Sequence, residues 1–224
     1  MENKIALGTV QFGLDYGAYN IGGQVDFIEV KKIIDLSLAY GIDTIDTASA
    51  YGNSESVLGN IGIANFDIIT KTSSLDNGVK KVVDDFYNSL ERLNVDKVNG
   101  LLIHDFNDVT HPEFKVLFKY LKDLKQQGKI DKVGFSTYIP SQVDFLLDNF
   151  EFDLIQLPFN VFDNRLIKGN QLQKLKKYKV EVHARSIFLQ GVLLNFTNIS
   201  NYFRPWHEQF FEYQTVVKDT GLSL

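Results

Sequence analysis

The feature that most constrains the fold is a regular alternation of short apolar strands with amphipathic helices. Seven runs rich in apolar and β-branched residues are predicted strands: residues 5–10, 41–45, 66–72, 98–103, 132–137, 153–158 and 180–185. Helical spacing predicts the intervening helices at residues 25–40, 54–61, 79–93, 112–127, 141–149 and 166–178. This rhythm is typical of right-handed βαβ units around a parallel sheet. The predicted fold class is therefore α/β, of the (β/α)8 TIM-barrel type.

Polar residues stand where these predicted strands end. Six strands are followed or closed by such a side chain: Asp46, Lys71, His104, Ser136, Gln156 and Arg185. Active sites of barrels lie at the carboxyl ends of the strands, so these side chains are expected to converge on one mouth. Gly8 and Gly13, near the first strand, are expected to let something approach the backbone closely.

Four of the residues near the strand ends form a candidate acid catalyst. Asp46 is followed five residues later by Tyr51, and Lys71 and His104 end the next two strands. A Lys71 ammonium held by Asp46 and facing the phenol is expected to lower the pKa of Tyr51 from about 10. Tyr51 could then protonate a carbonyl oxygen while His104 donates a hydrogen bond to the same atom. None of these groups supplies hydride, so a cofactor must.

Each of these residues, taken alone, has an ordinary structural interpretation, and only their combination favours catalysis. Glu55 is interpreted mainly as a carboxylate favoured by a helix start. Three other histidines share no metal-ligand spacing, so no metal site is predicted: His111, His183 and His207. Four aromatic residues on predicted loops could wall a substrate pocket: Tyr16, Phe106, Phe159 and Trp206.

The motifs that carry these residues resemble the aldo-keto reductase family in spacing, order and flanking residues. They are Asp46-(x)4-Tyr51-Gly52, Ile69-Thr70-Lys71, Leu102-Ile103-His104, Gly134-Phe135-Ser136 and Ile155-Gln156-(x)3-Asn160. The resemblance covers nearly the whole chain. It implies a (β/α)8 barrel, a nicotinamide cofactor that is usually NADPH with NADH possible, and a tetrad in which Tyr51 is the acid. It also implies that Ser136 and Gln156 contact the nicotinamide carboxamide.

Two segments depart from the family pattern on the cofactor side. Thr137 stands where the family commonly has Asn, which puts one carboxamide hydrogen bond in question. After strand seven the family often has an aromatic-Ser-Pro stretch whose ring stacks on nicotinamide, whereas this chain has Arg185 and Ser186, followed by Gln190 and Gly191. A guanidinium can also stack on a flat ring, so these four residues are kept as cofactor-binding candidates. The order Arg-Ser-(x)2-Leu-Gln-Gly is similar to a branch often associated with bacterial surface-polysaccharide or sugar metabolism.

The C-terminal end is the largest departure from the family. Family members continue into an eighth strand and helix that hold the cofactor phosphates, while this chain ends at Gly221-Leu222-Ser223-Leu224, which is interpreted as the start of a helix. The expectation is a single domain over 1–224, incomplete at its C-terminus. A truncated gene product is favoured over a remainder supplied by another chain or a natural short form. Unpaired outer strands would allow self-association.

Composition excludes several other classes of protein. The net charge of −5 argues against a nucleic-acid partner, and no secretory segment or apolar run of about 18 residues indicates export or membrane insertion. The absence of Cys removes thiolate chemistry and fits a cytoplasmic protein.

The leading functional hypothesis is NAD(P)H-dependent reduction of an aldehyde or ketone to an alcohol. The alternative is a catalytically silent barrel that binds a nucleotide or a partner protein. A pyridoxal-phosphate barrel with Lys71 as Schiff base is a distant third hypothesis, because it leaves Asp46 and Tyr51 unexplained as a pair.

Overall fold

The computed structural model describes residues 4–18, 20–194 and 201–221. Its strands are β1 (Ala6–Gly8), β2 (Thr44–Asp46), β3 (Asp67–Lys71), β4 (Val98–Ile103), β5 (Ile130–Ser136), β6 (Leu154–Pro158) and β7 (Glu181–Arg185). Its α-helices are α1 (Val10–Gly13), α2 (Phe27–Ala39), α3 (Ser54–Ile61), α4 (Val79–Leu93), α5 (Phe114–Gln126), α6 (Pro140–Asn149), α7 (Arg165–Lys168), α8 (Gln171–Lys177) and α9 (His207–Thr220). Short 3-10 helices cover Leu75–Asn77, Phe106–Thr110, Val192–Leu194 and Asn201–Trp206.

The seven strands form one sheet in the order β1-β2-β3-β4-β5-β6-β7, and every neighbouring pair is parallel. The sheet is curled, because a side chain of β2 reaches one of β6: the Gln156 amide donates to Asp46 Oδ1 at 2.7 Å. Within the described residues β1 pairs only with β2 and β7 only with β6. The predicted fold class, an α/β fold of the TIM-barrel type, is thus confirmed, with seven parallel strands in the described residues.

Side-chain alternation along the strands separates two buried layers. The inner face carries a small cluster of Ile69, Leu102 and Leu154, while the large core lies between the outer face and the helices. On β3, Ile69 points inward and Ile68 outward, so Lys71, two residues after Ile69, also points inward at the carboxyl end. The same alternation directs the last polar residues of the other strands into the mouth of the curled sheet.

Several predicted boundaries require correction. Val10 begins α1 instead of ending β1, because the chain turns at Thr9. Pro112 lies in a turn and α5 begins at Phe114. The predicted helix at 166–178 is two helices, because Asn170 adopts a left-handed conformation with φ of 62° and breaks it after Gly169.

The last described residues correct a further expectation. Gly221, interpreted from the sequence as part of a helix start, instead follows the C-terminus of α9 and has a φ of 69°. This left-handed conformation is the usual helix stop that glycine supplies. Residues 222–224 of that expectation lie outside the described residues. No helix in the described ranges has the length and apolarity needed to cross a membrane.

Candidate active site

A buried ion pair lies at the centre of the mouth. Lys71 Nζ is 2.7 Å from Asp46 Oδ1, and the exposed fractions of the two side chains are 1% and 17%. Lys71 also donates to the carbonyl oxygen of Thr47 at 2.8 Å. The ammonium is therefore fixed by a carboxylate and a backbone oxygen from β2 and the residue that follows it.

Tyr51 and His104 lie beside this pair. Lys71 Nζ is 5.0 Å from the centre of the Tyr51 ring, and the Tyr51 and His104 rings meet edge to face with centroids 6.0 Å apart. The structure thus brings together the four residues that sequence reasoning selected as a tetrad.

The loop that carries Tyr51 is held by close backbone packing. A Cβ added to Gly13 would lie 1.8 Å from the Tyr51 carbonyl oxygen, and one added to Gly52 would lie 2.3 Å from the Gly13 oxygen. Gly52 also has a φ of 56°, a conformation that suits glycine. The expected close approach at Gly13 is confirmed, and what approaches is the Tyr51 backbone. At Gly8 no described protein atom lies within 4 Å of an added Cβ, so close approach there stays a prediction.

The direction of the Tyr51 pKa differs from the sequence-based expectation. Burial of the phenol raises the pKa of Tyr51 above its usual value near 10, and the nearby Lys71 charge lowers it by less. Asp46 opposes Lys71, because its negative charge raises the same pKa. Tyr51 is therefore a protonated phenol across the neutral range, available as a proton donor.

His104 is neutral over the same range. Burial and the positive charge of Lys71 lower the pKa of His104 to about 4. Its backbone N–H donates to Thr72 Oγ1 at 3.3 Å, which ties the end of β4 to the end of β3. A neutral imidazole at this position can donate one hydrogen bond without bringing a second positive charge close to Lys71.

The residues predicted to contact a carboxamide lie at the ends of β5 and β6. Gln156 is 4% exposed, and its amide nitrogen is committed to Asp46, so its oxygen is left as an acceptor. Ser136 is 3% exposed, and its hydroxyl makes no hydrogen bond within the described part of the chain. A carboxamide has one acceptor and one donor group, which these two side chains match. The Thr137 hydroxyl donates to the backbone carbonyl oxygen of Gln156 at 3.5 Å.

Arg185 and Ser186 follow at the end of β7. Arg185 Nη2 donates to the Thr137 carbonyl oxygen at 3.1 Å, and its guanidinium lies 4.1 Å from the centre of the Tyr138 ring. Ser186 has a φ of 59°, and its carbonyl oxygen accepts a hydrogen bond from Asn160. Stacking of Arg185 on nicotinamide stays a prediction.

Gln190 connects the loop after β7 to the loop after α1. Its side-chain oxygen accepts from the Ala18 N–H at 2.9 Å, and its nitrogen donates to the Tyr16 hydroxyl at 3.2 Å. Gln190 and Gly191 both have positive φ, of 54° and 91°. The two ends of the open sheet are therefore joined above the mouth by side-chain hydrogen bonds.

The remaining candidates occupy different environments. Phe106 and Phe159 pack partly buried against the main core, whereas Tyr16 and Trp206 are 45% and 48% exposed. Within the described residues no group of three or more His, Asp or Glu side chains is arranged to hold a metal ion.

Sequence reasoning missed the role of Glu55. This carboxylate is 1% exposed, accepts from Thr70 Oγ1 at 2.8 Å and is paired with Arg92 at 2.7 Å. The contacts lock α3, which follows the Tyr51 loop, to β3, which carries Lys71. Arg92 lies 37 residues away in the sequence, and no local pattern links it to Glu55.

The fold and the site together define an α/β-barrel protein with its polar site at the carboxyl ends of the strands. The sequence profile of the Aldo/keto reductase family matches residues 4–219, and the chain belongs to that family. An aldo-keto reductase from Mycobacterium sp. (strain KMS) is 30% identical over 129 residues, which cover 54% of this chain and 45% of that protein. Glyoxal reductase from Bacillus subtilis (strain 168) is 27% identical over 172 residues, which cover 75% of this chain and 61% of that protein.

Solved structures share the fold. Glycerol dehydrogenase AKR11B4 from Gluconobacter oxydans matches with a TM-score of 0.74 and 24% identity, over 97% of this chain and 75% of that chain. An aldo-keto reductase from Bombyx mori in complex with NADP matches with a TM-score of 0.61 and 22% identity, over 81% of this chain and 62% of that chain. The chain spans about half the length of the mycobacterial relative.

Proposed function

We propose that this chain reduces an aldehyde or ketone to an alcohol with a nicotinamide cofactor, and that Tyr51 is the general acid. The observation that carries the proposal is the meeting of Tyr51, His104 and the Lys71–Asp46 pair at the carboxyl ends of successive strands. Membership of the aldo/keto reductase family supports it.

The chain's own residues would act on the carbonyl oxygen. Tyr51 Oη donates its proton to that oxygen, and the ammonium of Lys71 stabilises the tyrosinate that remains. Neutral His104 donates a hydrogen bond to the same oxygen and stabilises its developing negative charge. Asp46 holds Lys71 in place. The nicotinamide cofactor, when bound, supplies the hydride.

Ser136 and Gln156 are proposed to hold the carboxamide of that cofactor, with Arg185 beside the ring. This assignment is supported by the Ser136 hydroxyl and the Gln156 side-chain oxygen, which make no hydrogen bond to the described part of the protein. NADPH is the proposed form and NADH the alternative; the Bombyx mori relative, which was solved with NADP, supports a nicotinamide cofactor.

The direct test is an assay of carbonyl reduction with wild type, Tyr51→Phe and Lys71→Met. Loss of the acid should lower kcat by about 10²- to 10⁴-fold in Tyr51→Phe. Tyr178→Phe is the matched control, because it removes the hydroxyl of a tyrosine that is 59% exposed and lies before the amino end of β7. Unchanged reduction by either site variant would contradict the mechanism.

Calorimetry with NADPH separates this proposal from the silent binding module. Reduction together with NADPH binding supports the enzyme, whereas NADPH binding by wild type without turnover of any aldehyde would favour the silent module. Binding should weaken in Ser136→Ala, because the buried hydroxyl has no other partner in the described part of the chain.

A further inference from the structure

The side chain of Arg185 is held in place by a ring contact and a hydrogen bond. Its guanidinium lies over the Tyr138 ring with 4.1 Å to the ring centre, and Nη2 donates to the Thr137 carbonyl oxygen at 3.1 Å. Register pairing places Arg185 opposite Pro158 at the carboxyl end of β6. The side chain is half-buried at the mouth, two strands away from the strand that carries Ser136.

Within the described residues no carboxylate forms an ion pair with Arg185. A guanidinium has five N–H groups, and in the described residues only one of those of Arg185 donates to the protein. The other arginines within residues 4–194 are both paired: Arg92 with Glu55 and Arg165 with Asp163. A half-buried cation with unused donors favours an anion as its partner.

The other charged groups of the site leave Arg185 as the cation without a direct partner. Asp46 balances Lys71, Tyr51 and His104 are neutral at pH 7, and Asp105 acts on His104 as a further negative charge. What sets Arg185 apart is therefore that no carboxylate contacts its guanidinium within the described residues. The charge of Arg185 also lowers the pKa of both Tyr51 and His104, by less than burial and the charges of Lys71 and Asp46 change it.

We propose that the free edge of the Arg185 guanidinium binds a carboxylate or phosphate of the carbonyl substrate, so that this chain prefers anionic aldehydes or ketones. The inference rests on the proposed carbonyl reduction. It is compatible with stacking on nicotinamide, because stacking uses a face of a guanidinium and anion binding uses its N–H edge.

The test compares two aldehydes of equal chain length, succinic semialdehyde with a carboxylate and butyraldehyde without one. For wild type the ratio of their kcat/KM values should favour succinic semialdehyde by about 10- to 100-fold, the factor expected for hydrogen bonds to a charged group. The ratio should fall close to one in Arg185→Met and recover in part in Arg185→Lys, which keeps the charge but loses the planar fork. Arg165→Met is the matched control, because Arg165 also contacts Tyr138 but is balanced by Asp163, and its ratio should equal that of wild type.

Each alternative outcome is decisive. Equal kcat/KM values for both aldehydes in wild type would overturn the proposal and leave carbonyl reduction intact. A loss by the same factor for both aldehydes in Arg185→Met, with a raised KM for NADPH, would assign the residue to the cofactor and also overturn it. If wild type reduces neither aldehyde, calorimetric titration with succinate tests the anion site independently of the proposed reduction: binding by wild type that Arg185→Met loses supports the anion site, and no binding overturns it.

Discussion

The middle and the edges of the sheet differ in burial and in the kind of site residue they carry. Every residue of β4 except Asn99 is buried, whereas no residue of β7 is buried and β1 exposes both of its ends. The proposed catalytic residues stand on or beside β2, β3 and β4. Of the predicted cofactor residues, Arg185 ends the edge strand β7, and Ser186, Gln190 and Gly191 follow it. Burial sets the protonation states of Tyr51 and His104. The edge strand β7 instead carries Arg185, whose charge has no carboxylate partner within the described residues.

The largest expected difference in the free energy of unfolding is between a variant that breaks a buried ion pair and one that breaks an exposed ion pair. Arg92→Met leaves the Glu55 carboxylate, whose side chain is 2% exposed, with Thr70 as its remaining partner, and should lower the free energy of unfolding by about 3–5 kcal/mol. Lys132→Met removes a pair with Glu181 beside the edge, where the two side chains are 37% and 41% exposed, and should cost less than about 1 kcal/mol. Urea unfolding measures both values, and similar losses in the two variants would contradict the comparison.

Two glycines give the next contrast. Gly13→Ala places a methyl group 1.8 Å from the Tyr51 carbonyl oxygen and should cost about 1–3 kcal/mol, as overpacking does. Gly8→Ala, at the end of the edge strand β1, meets nothing within 4 Å and is the matched control. Thermal unfolding measures stability, and the aldehyde assay should show a larger loss in Gly13→Ala because the loop that carries Tyr51 must move. Equal behaviour of the two variants would show that the close packing does not position Tyr51.

A pH dependence follows from the buried His104. Its folded pKa of about 4 lies below the ordinary value of 6.5, so between these values the unfolded chain binds a proton that the folded chain does not. Stability from this residue is therefore complete above pH 6.5 and is lost as the pH falls towards 4. His104→Gln should lose less stability than wild type between pH 7 and pH 5 in urea unfolding. Identical losses would mean that burial does not hold the imidazole neutral.

Much of the fold and the positions of the proposed catalytic residues could be predicted from the sequence. Strand–helix alternation predicted the order of the sheet, and strand ends predicted where Asp46, Lys71 and His104 meet. These predictions succeed because side-chain alternation along a strand is a local property.

The features that could not be predicted from the sequence depend mainly on packing between distant segments. The pKa of Tyr51 is raised because burial outweighs the charge of Lys71, and the sequence does not reveal the depth of burial. The hydrogen bond between Gln156 and Asp46 joins residues 110 positions apart across the curled sheet. The break between α7 and α8 was missed because Gly169 and Asn170 interrupt an otherwise helical pattern with one left-handed residue.

The smallest effect on stability is expected for a substitution on β7, an edge strand of the sheet. Val182 of β7 is 37% exposed, so Val182→Lys should change the free energy of unfolding by no more than about 0.5 kcal/mol. Its effect should appear in association instead, because an edge strand offers backbone groups to another chain, and a lysine there opposes such pairing. Sedimentation velocity over a concentration series should show weaker self-association of Val182→Lys than of wild type. Val116→Lys, at a 60% exposed position on α5, should associate as wild type does. A wild type that stays monomeric throughout would contradict association through the edges.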